Sequence, residues 1–333
     1  MAKLNIAIDL GTSYTTIYLE NQGVVLREPS VIAYTGKDSQ RKFSCVGYAA
    51  AEMQGKEPDN TTIVRPIVEG YVTDVGAASM MLGEFIKKID DGMFTNISAI
   101  LAVPTGLTIT ERKNYGDVCY SAGVCNLEMV DNIVLSAIAM DLPVSSSTGS
   151  LVVNIGGGST EIALVALSGI NTGCAVTIGG DMMDSAISDF VVGKYGLRIG
   201  RIMARKAKEE VGSLYPNDSA GMEVTGVNAK TLVPATCMVY ATDIYEALLP
   251  YYQKLAEAVG DVIKTLGKSF AEDLKDRGVF VTGGAAKMLG MEKVFTEVLG
   301  LPVHVSKTPD YSAVVGGGKL IGNVELLHKL VRK

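Results

Sequence analysis

Two short stretches of this chain hold the residue types that grip a polyphosphate. In residues 150–167, the run Asn154-Ile155-Gly156-Gly157-Gly158-Ser159-Thr160-Glu161 stands between two apolar segments. Three consecutive glycines there form a turn bare of side chains, so several backbone N–H groups can converge on one anion. A plain hairpin turn would need only one or two glycines at positive φ, and taken alone the segment leaves both readings open. A second copy favours the cradle. Near the N-terminus, Asp9-Leu10-Gly11-Thr12-Ser13-Tyr14-Thr15 lies between Asn5-Ile6-Ala7-Ile8 and Thr16-Ile17-Tyr18-Leu19, so that Asp9 matches Asn154, Gly11 matches Gly156 and Thr15 matches Thr160. A strand, polar turn and strand repeated half a chain apart predict two similar domains. Facing each other, they would hold a ligand in the cleft between them.

The elements that must position these turns fit a chain of 333 residues, long enough for about two domains with cores of their own. A formal charge of −6 argues against a nucleic-acid partner, which calls for a basic face. The five cysteines (Cys45, Cys119, Cys125, Cys174 and Cys237) are scattered, with no C-x-x-C, and read as reduced cytosolic thiols. No signal peptide precedes the first strand, and every apolar run breaks well before the roughly 18 residues that suggest a membrane span. The expectation is a soluble protein.

In chain order, residues 24–33 read as a strand interrupted at Pro29. Residues 37–74 are polar and turn-rich, as in a small inserted subdomain. Residues 76–89 carry Met80, Met81, Phe85, Ile86 and Ile89 on a helical period and predict a core-facing helix. Ser98 to Val103 is a buried strand, and Thr108 with Glu111 predicts a capping box. Asp131 and Asn132 fall at a strand end. Past the central hairpin, Asp181 is expected to cap a helix striped by Met183, Ile187, Phe190 and Val191. A charged helix over 201–211 follows, whose Lys208-Glu209-Glu210 either lies in solvent or meets a ribose and a base. Residues 213–239 are a second polar, strand-like insertion. Residues 242–270 form a long helical pattern kinked at Pro250. Then Val279-Phe280-Val281-Thr282-Gly283-Gly284-Ala285-Ala286 offers a third bare turn against which a flat ring can lie, and an amphipathic helix runs from 315 towards 330.

Taken together, Asp9-Leu10-Gly11-Thr12, Glu28-Pro29-Ser30-Val31, Arg65-Pro66, Val103-Pro104-Thr105-Gly106, Ile155-Gly156-Gly157-Gly158-Ser159-Thr160-Glu161, Gly180-Asp181-Met182-Met183-Asp184 and Thr282-Gly283-Gly284 resemble the MreB family of bacterial actin homologues, in order and over nearly the whole chain. The resemblance implies an α/β, actin-like fold: two ribonuclease-H-like domains, each with a small inserted subdomain, around a central nucleotide cleft. The first domain would span 1–144, with its small subdomain at about 33–74. The second would span 145–314, with its small subdomain at about 181–241, and the helix over 315–333 would pack back on the first domain. The resemblance further implies ATP with Mg²⁺, polymerisation into paired protofilaments, and a cytoplasmic role in rod shape or wall synthesis. Self-association, the inner membrane face and membrane-anchored shape proteins are the partners it suggests. By the same resemblance Gly11, Thr12, Ser13 and Tyr14 form one phosphate turn, and Gly156, Gly157, Gly158 and Ser159 the other. Asp9 holds the metal through water. Lys208 and Glu209 or Glu210 meet base and ribose. Gly283, Gly284, Ala285 and Ala286 line the adenine pocket, with Ala285 where the family usually has a third glycine. Residues 90–96 lie close to the family's apolar membrane loop and present Met93 and Phe94 beside Asp90 and Asp91.

Two departures bear on catalysis. The family has Asp where this chain has Asn154, and Glu-Glu-Pro where this chain has Asp131-Asn132-Ile133. An amide keeps hydrogen bonds but takes no proton, and loss of a positioned general base typically costs about 10²- to 10⁴-fold. Asp131 would take over only if the register shifted by one, which turns a side chain to the other face. The expectation is an ATP-binding filament protein with slow hydrolysis. A small-molecule kinase or a chaperone-like nucleotide switch of the same fold is the alternative. The kinase needs an acid or base to activate a substrate hydroxyl, and the switch needs a peptide-binding domain.

Overall fold

A computed structural model describes residues 3–36, 41–90, 92 and 96–331. Met93 and Phe94, named above for membrane contact, lie outside these described residues.

The strand Lys3–Leu10 is fully buried on one face and partly buried on the other, and its alternation decides what each face meets. Leu4, Ile6, Ile8 and Leu10 enter one core with Met81, Leu82, Phe85 and Tyr115, while Ala7 faces the opposite way, towards helices shared with the other domain. Ser150–Ile155 repeats the scheme: Leu151, Val153 and Ile155 enter the second domain's core, and Val152 turns to the shared helices. Each strand opens a five-stranded sheet. In the first sheet, Lys3–Leu10 pairs antiparallel with Tyr14–Leu19 and then Gly23–Pro29 on one side, and parallel with Asn96–Val103 and then Asn126–Asp131 on the other. In the second sheet, Ser150–Ile155 has Thr160–Ala166 and Gly169–Val176 on its antiparallel side, and Val279–Thr282 and Val303–Val305 on its parallel side. The internal repeat therefore extends from the turns to whole sheets.

Between the two sheets lie the helices Asn132–Ala139 and Ser312–Ile321, whose Ile133, Leu135, Val314 and Leu320 form one apolar layer with Ala7, Val152 and Val165. Gly316 permits this close crossing, because a Cβ there would stand 1.8 Å from the Leu135 carbonyl oxygen. The C-terminal segment is two helices rather than one. Ser312–Ile321 ends at Gly322, and Val324–Val331 starts again after Asn323, whose side-chain oxygen accepts from Leu326 N at 3.1 Å.

Smaller sheets are inserted into each half. Lys42–Val46, Ile32–Thr35 and Thr61–Val64 form one, and Leu197–Arg198, Gly221–Asn228 and Pro234–Tyr240 the other. The break expected at Pro29 separates Gly23–Pro29 from Ile32–Thr35. The helix Val75–Ile89 buries Met81, Phe85 and Ile86 but leaves Met80 43% exposed, so that Met80 is not a core residue. The Thr108 box is complete: Thr108 N donates to Glu111 Oε2 at 2.7 Å, and Glu111 N to Thr108 Oγ1 at 3.3 Å. The helix Ala241–Thr265 runs through Pro250 and ends at Leu266, before Gly267 opens Lys268–Arg277. Buried Leu248 and Tyr252 on either side of the proline offset its missing N–H.

Candidate functional site

The two glycine turns share one backbone geometry. Gly11 N donates to Tyr14 O at 3.1 Å, and Gly156 N donates to Ser159 O at 2.9 Å. Each turn is braced from behind by its own domain. Ser30 donates from Oγ to Gly11 O at 2.6 Å and from N to Ser13 O at 3.0 Å, while Gly180 N and Asp181 N donate to Gly156 O and Gly157 O at 2.9 and 2.8 Å. The Pro29-Ser30 and Gly179-Gly180-Asp181 segments are thus the supports that hold both loops open for an anion.

The turns meet across a cavity of about 510 Å³, within the usual size of a small-molecule site. At Gly157 a Cβ would lie 2.2 Å from Ser13 Oγ of the opposite turn, so only glycine permits the approach. Gly11, Thr12, Ser13, Tyr14 and Gly156 to Ser159 all line the cavity, together with Asp9, Asn132 and Asn154. Thr12 Oγ1 accepts from Gly70 N at 2.8 Å, and Tyr115 Oη donates to Gly70 O at 2.9 Å, which ties the first small subdomain to the first turn. The Arg27 guanidinium stacks 3.6 Å from the centre of the Tyr14 ring.

At the other end of the cavity, Gly283, Gly284 and Ala285 line the wall with Lys287, Met288 and Leu289. Tyr252 Oη donates to Ala285 O at 2.8 Å and fixes this wall from the core. Ala286 is 3% exposed and turns into the second domain's core instead. Lys208 and Glu209 line the cavity from the helix Arg201–Val211. Lys208 Nζ is held beneath the second turn, 2.9 Å from Gly180 O and 2.5 Å from Asp184 Oδ1. Glu210 does not line the cavity and stands 3.6 Å from Lys206.

Asp181 does not cap its helix, whose N-cap is Gly179. Its carboxylate instead gathers Arg65 at 2.9 Å, Arg205 at 2.8 Å and Arg201. Burial works to raise the Asp181 carboxyl, but the guanidinium groups of Arg201, Arg65 and Arg205 outweigh it and hold the group below the ordinary range. Arg65 comes from the first domain and also donates to Thr12 O at 3.1 Å, so it ties the first turn to Asp181 of the second domain. Arg65→Ala should cost about 1–2 kcal/mol, as expected for a half-buried hydrogen bond between charged groups. Arg201 and Arg205 still neutralise Asp181 in that variant. A lowered urea midpoint checks it, and an unchanged midpoint contradicts the tie.

Burial pushes the Asp9 carboxyl up to about 6, against the pull of Arg27. Asp131 does not reach the cavity. It sits 3.8 Å from Arg112 at the strand end, and burial raises its carboxyl despite that partner. Asn132 and Asn154 do reach it, joined to each other: Asn154 Nδ2 donates to Asn132 Oδ1 at 2.9 Å. Asn132 Nδ2 then donates to Glu161 Oε1 at 3.0 Å, and Thr105 N donates to Glu161 Oε2 at 3.1 Å. Glu161 is an acid of the cavity whose role motif spacing alone does not reveal. Hairpin register was the available signal, since Glu161 is the residue directly opposite Asn154 and so shares its face.

A model of the MreB/Mbl protein family matches residues 3–329. The cell shape-determining protein MreB of Escherichia coli strain K12 is 35% identical over 327 residues, covering 97% of this chain and 94% of that protein. Two structures of MreB5 of Spiroplasma citri superpose with a TM-score of 0.90 and 25% identity. The one bound to ADP covers 99% of this chain and 98% of that chain, and the one bound to AMPPNP covers 98% and 99%.

Proposed function

The chain belongs to the MreB/Mbl family, and on that footing we propose that it is an ATP-binding, actin-like cytoskeletal protein that polymerises with itself and takes part in determining cell shape. The observation that carries the nucleotide reading is the pair of braced turns, Gly11 to Tyr14 and Gly156 to Ser159, closing on one cavity from two domains. In that cavity the turn N–H groups receive phosphate oxygens. Lys208 and Glu209 on one wall and Gly283 to Ala285 on the other receive ribose and base. The S. citri structures bound to ADP and AMPPNP support an adenine nucleotide as the ligand.

Magnesium fits the donors present. Among the described residues no cluster of three or more His, Cys, Asp or Glu side chains forms a cage for a bare metal ion. Mg²⁺ takes most of its ligands from phosphates and water, so the one carboxylate of Asp9 beside the first turn is sufficient. When bound, the ion supplies positive charge to the phosphates. Hydrolysis is slow in this reading, because Asn132 and Asn154 take no proton.

Assembly follows from end-to-end contacts, which are heterologous and propagate rather than close. Exposed Leu232 and Val233, between two strands of the second small subdomain, add apolar surface to such contacts. Among the described residues no helix is long and apolar enough to cross a membrane. We place the filament in the cytoplasm, on the inner membrane face, with Met93 and Phe94 as its apolar contact and membrane-anchored shape proteins as further partners. Titration calorimetry with ATP and Mg²⁺ tests the reading at its base: saturable binding is expected, weakened when magnesium is chelated. A chain that binds no adenine nucleotide overturns it.

A further inference from the structure

The acids that line the cavity are Asp9, Glu161, Glu209 and Asp310. Three of them have other positions or partners. Asp9 lies on the strand leading into the first turn, where the magnesium reading uses it. Glu209 stands beside Lys208 on the helix Arg201–Val211. Asp310 is bound by Lys287 at 2.8 Å, next to the Gly283–Ala285 wall. Glu161 alone adjoins the glycine turn that ends at Ser159, and it is 4% exposed.

Its orientation is fixed from both sides. Asn132 Nδ2 holds Oε1, and the Thr105 N–H holds Oε2. An ionised carboxylate only accepts, so Asn132 must turn its NH₂ towards Glu161 and its carbonyl towards Asn154. The two amides that replace the family's acids therefore form a relay that ends on a carboxylate: Asn154 to Asn132 at 2.9 Å, then Asn132 to Glu161 at 3.0 Å. Each Glu161 oxygen keeps a second lone pair beyond the bond it already accepts.

We propose that Glu161 is the group that takes the proton of the attacking water when this chain hydrolyses ATP, with Asn132, Asn154 and the Thr105 N–H as its positioning groups. This rests on the nucleotide reading of the cleft. The water oxygen bonds to the γ-phosphorus as the bond from that phosphorus to the β,γ-bridging oxygen breaks. One water proton passes to a Glu161 oxygen and from there to solvent, and the products are ADP and inorganic phosphate. Burial pushes the Glu161 carboxyl up to about 7, against the hydrogen bonds from Thr105 and Asn132 and with the help of Asp131 nearby. A base poised there is suited to take a proton near neutral pH. Tyr115, a further titratable neighbour, is itself pushed far up by burial and stays neutral.

The test measures phosphate release and AMPPNP affinity in the full chain with Mg²⁺, for the wild type, Glu161→Gln and Glu161→Asp. Glutamine keeps the size and an acceptor oxygen, so the relay retains a partner while the proton acceptor is lost. Glu161→Gln is expected to release phosphate at least tenfold more slowly, with AMPPNP affinity within about twofold of wild type. Glu161→Asp, which keeps the carboxylate but draws it back, is expected between the two. A purely structural Glu161 would move affinity and thermal midpoint together with the rate, and that outcome overturns the proposal. So does a Glu161→Gln protein that binds AMPPNP and releases phosphate at the wild-type rate, or a wild type that binds ATP and releases none. If Glu161→Gln does not fold, the aspartate variant decides: a wild-type rate overturns the assignment, and a reduced rate at unchanged affinity supports it. Failure of the wild type to bind AMPPNP at all instead removes the nucleotide reading on which the proposal stands.

Discussion

Gly157→Val should weaken ATP binding by about 100-fold or more, equivalent to roughly 3 kcal/mol, and leave the two domains folded. The cause is geometric. A Cβ at this position falls 2.2 Å from Ser13 Oγ and 2.9 Å from Ser13 Cβ, so any side chain drives the second turn away from the first. Each turn remains braced within its own domain by Ser30 or by Gly180 and Asp181, and the two cores do not include Gly157. What is lost is the simultaneous approach of two sets of N–H groups to one polyphosphate. Gly193→Ala is the control, since a Cβ there meets nothing within 4 Å and the residue lies inside the helix Gly180–Tyr195. That variant should bind ATP normally and gain slightly in stability from the lower backbone entropy of the unfolded chain. Equal ATP affinity in the valine variant and the wild type would remove the facing turns from the account.

Asn132→Glu combined with Asn154→Asp should raise phosphate release at least tenfold, and by more than either change alone. The relay explains the coupling. Asn154→Asp by itself sets a carboxylate against Asn132 Oδ1, across the 2.9 Å now bridged by an N–H. To relieve this, the Asn132 amide must flip, and it then turns its carbonyl on Glu161. The single change is therefore expected to give no gain. Asn132→Glu by itself puts a second carboxylate beside Glu161, a like-charged pair that shares a proton. Together the changes supply an acid that reaches one methylene further than Asn132, and a second carboxylate beside it for the metal. Groups that act as a unit are non-additive in this way. A wild-type rate that the double variant does not exceed would show that the amides are no impediment.

Residue spacing carried the architecture well where the physics is local. The glycine turns, the break at Pro29 and the Thr108 capping box each depend on a few adjacent residues, and each stands where the spacing puts it. Positions whose environment is assembled from distant chain segments were less legible. Asp181 has the residue type of a cap, but Arg65, Arg201 and Arg205 reach it through tertiary structure and claim its carboxylate. Met80 fits a helical period with Met81 and Phe85, yet the side of the helix it occupies faces solvent. The helical pattern over 242–270 does continue through Pro250, but it stops at Thr265, and a second helix begins after Gly267 within what the period reads as one element. Glu161 belongs to the central motif, but its use as an acid is not legible from that motif. Its role depends on hairpin register and on Thr105, 56 positions away in sequence.

The central claim is that nucleotide held between two facing turns drives this chain into filaments. Electron microscopy of the wild type and Gly157→Val, each with ATP and Mg²⁺ at a concentration well above micromolar, tests it most directly. The account predicts filaments for the wild type and dispersed monomers for Gly157→Val. A wild type that binds ATP yet stays monomeric in several nucleotides and with lipid present would contradict it, as would filaments of equal length in both proteins.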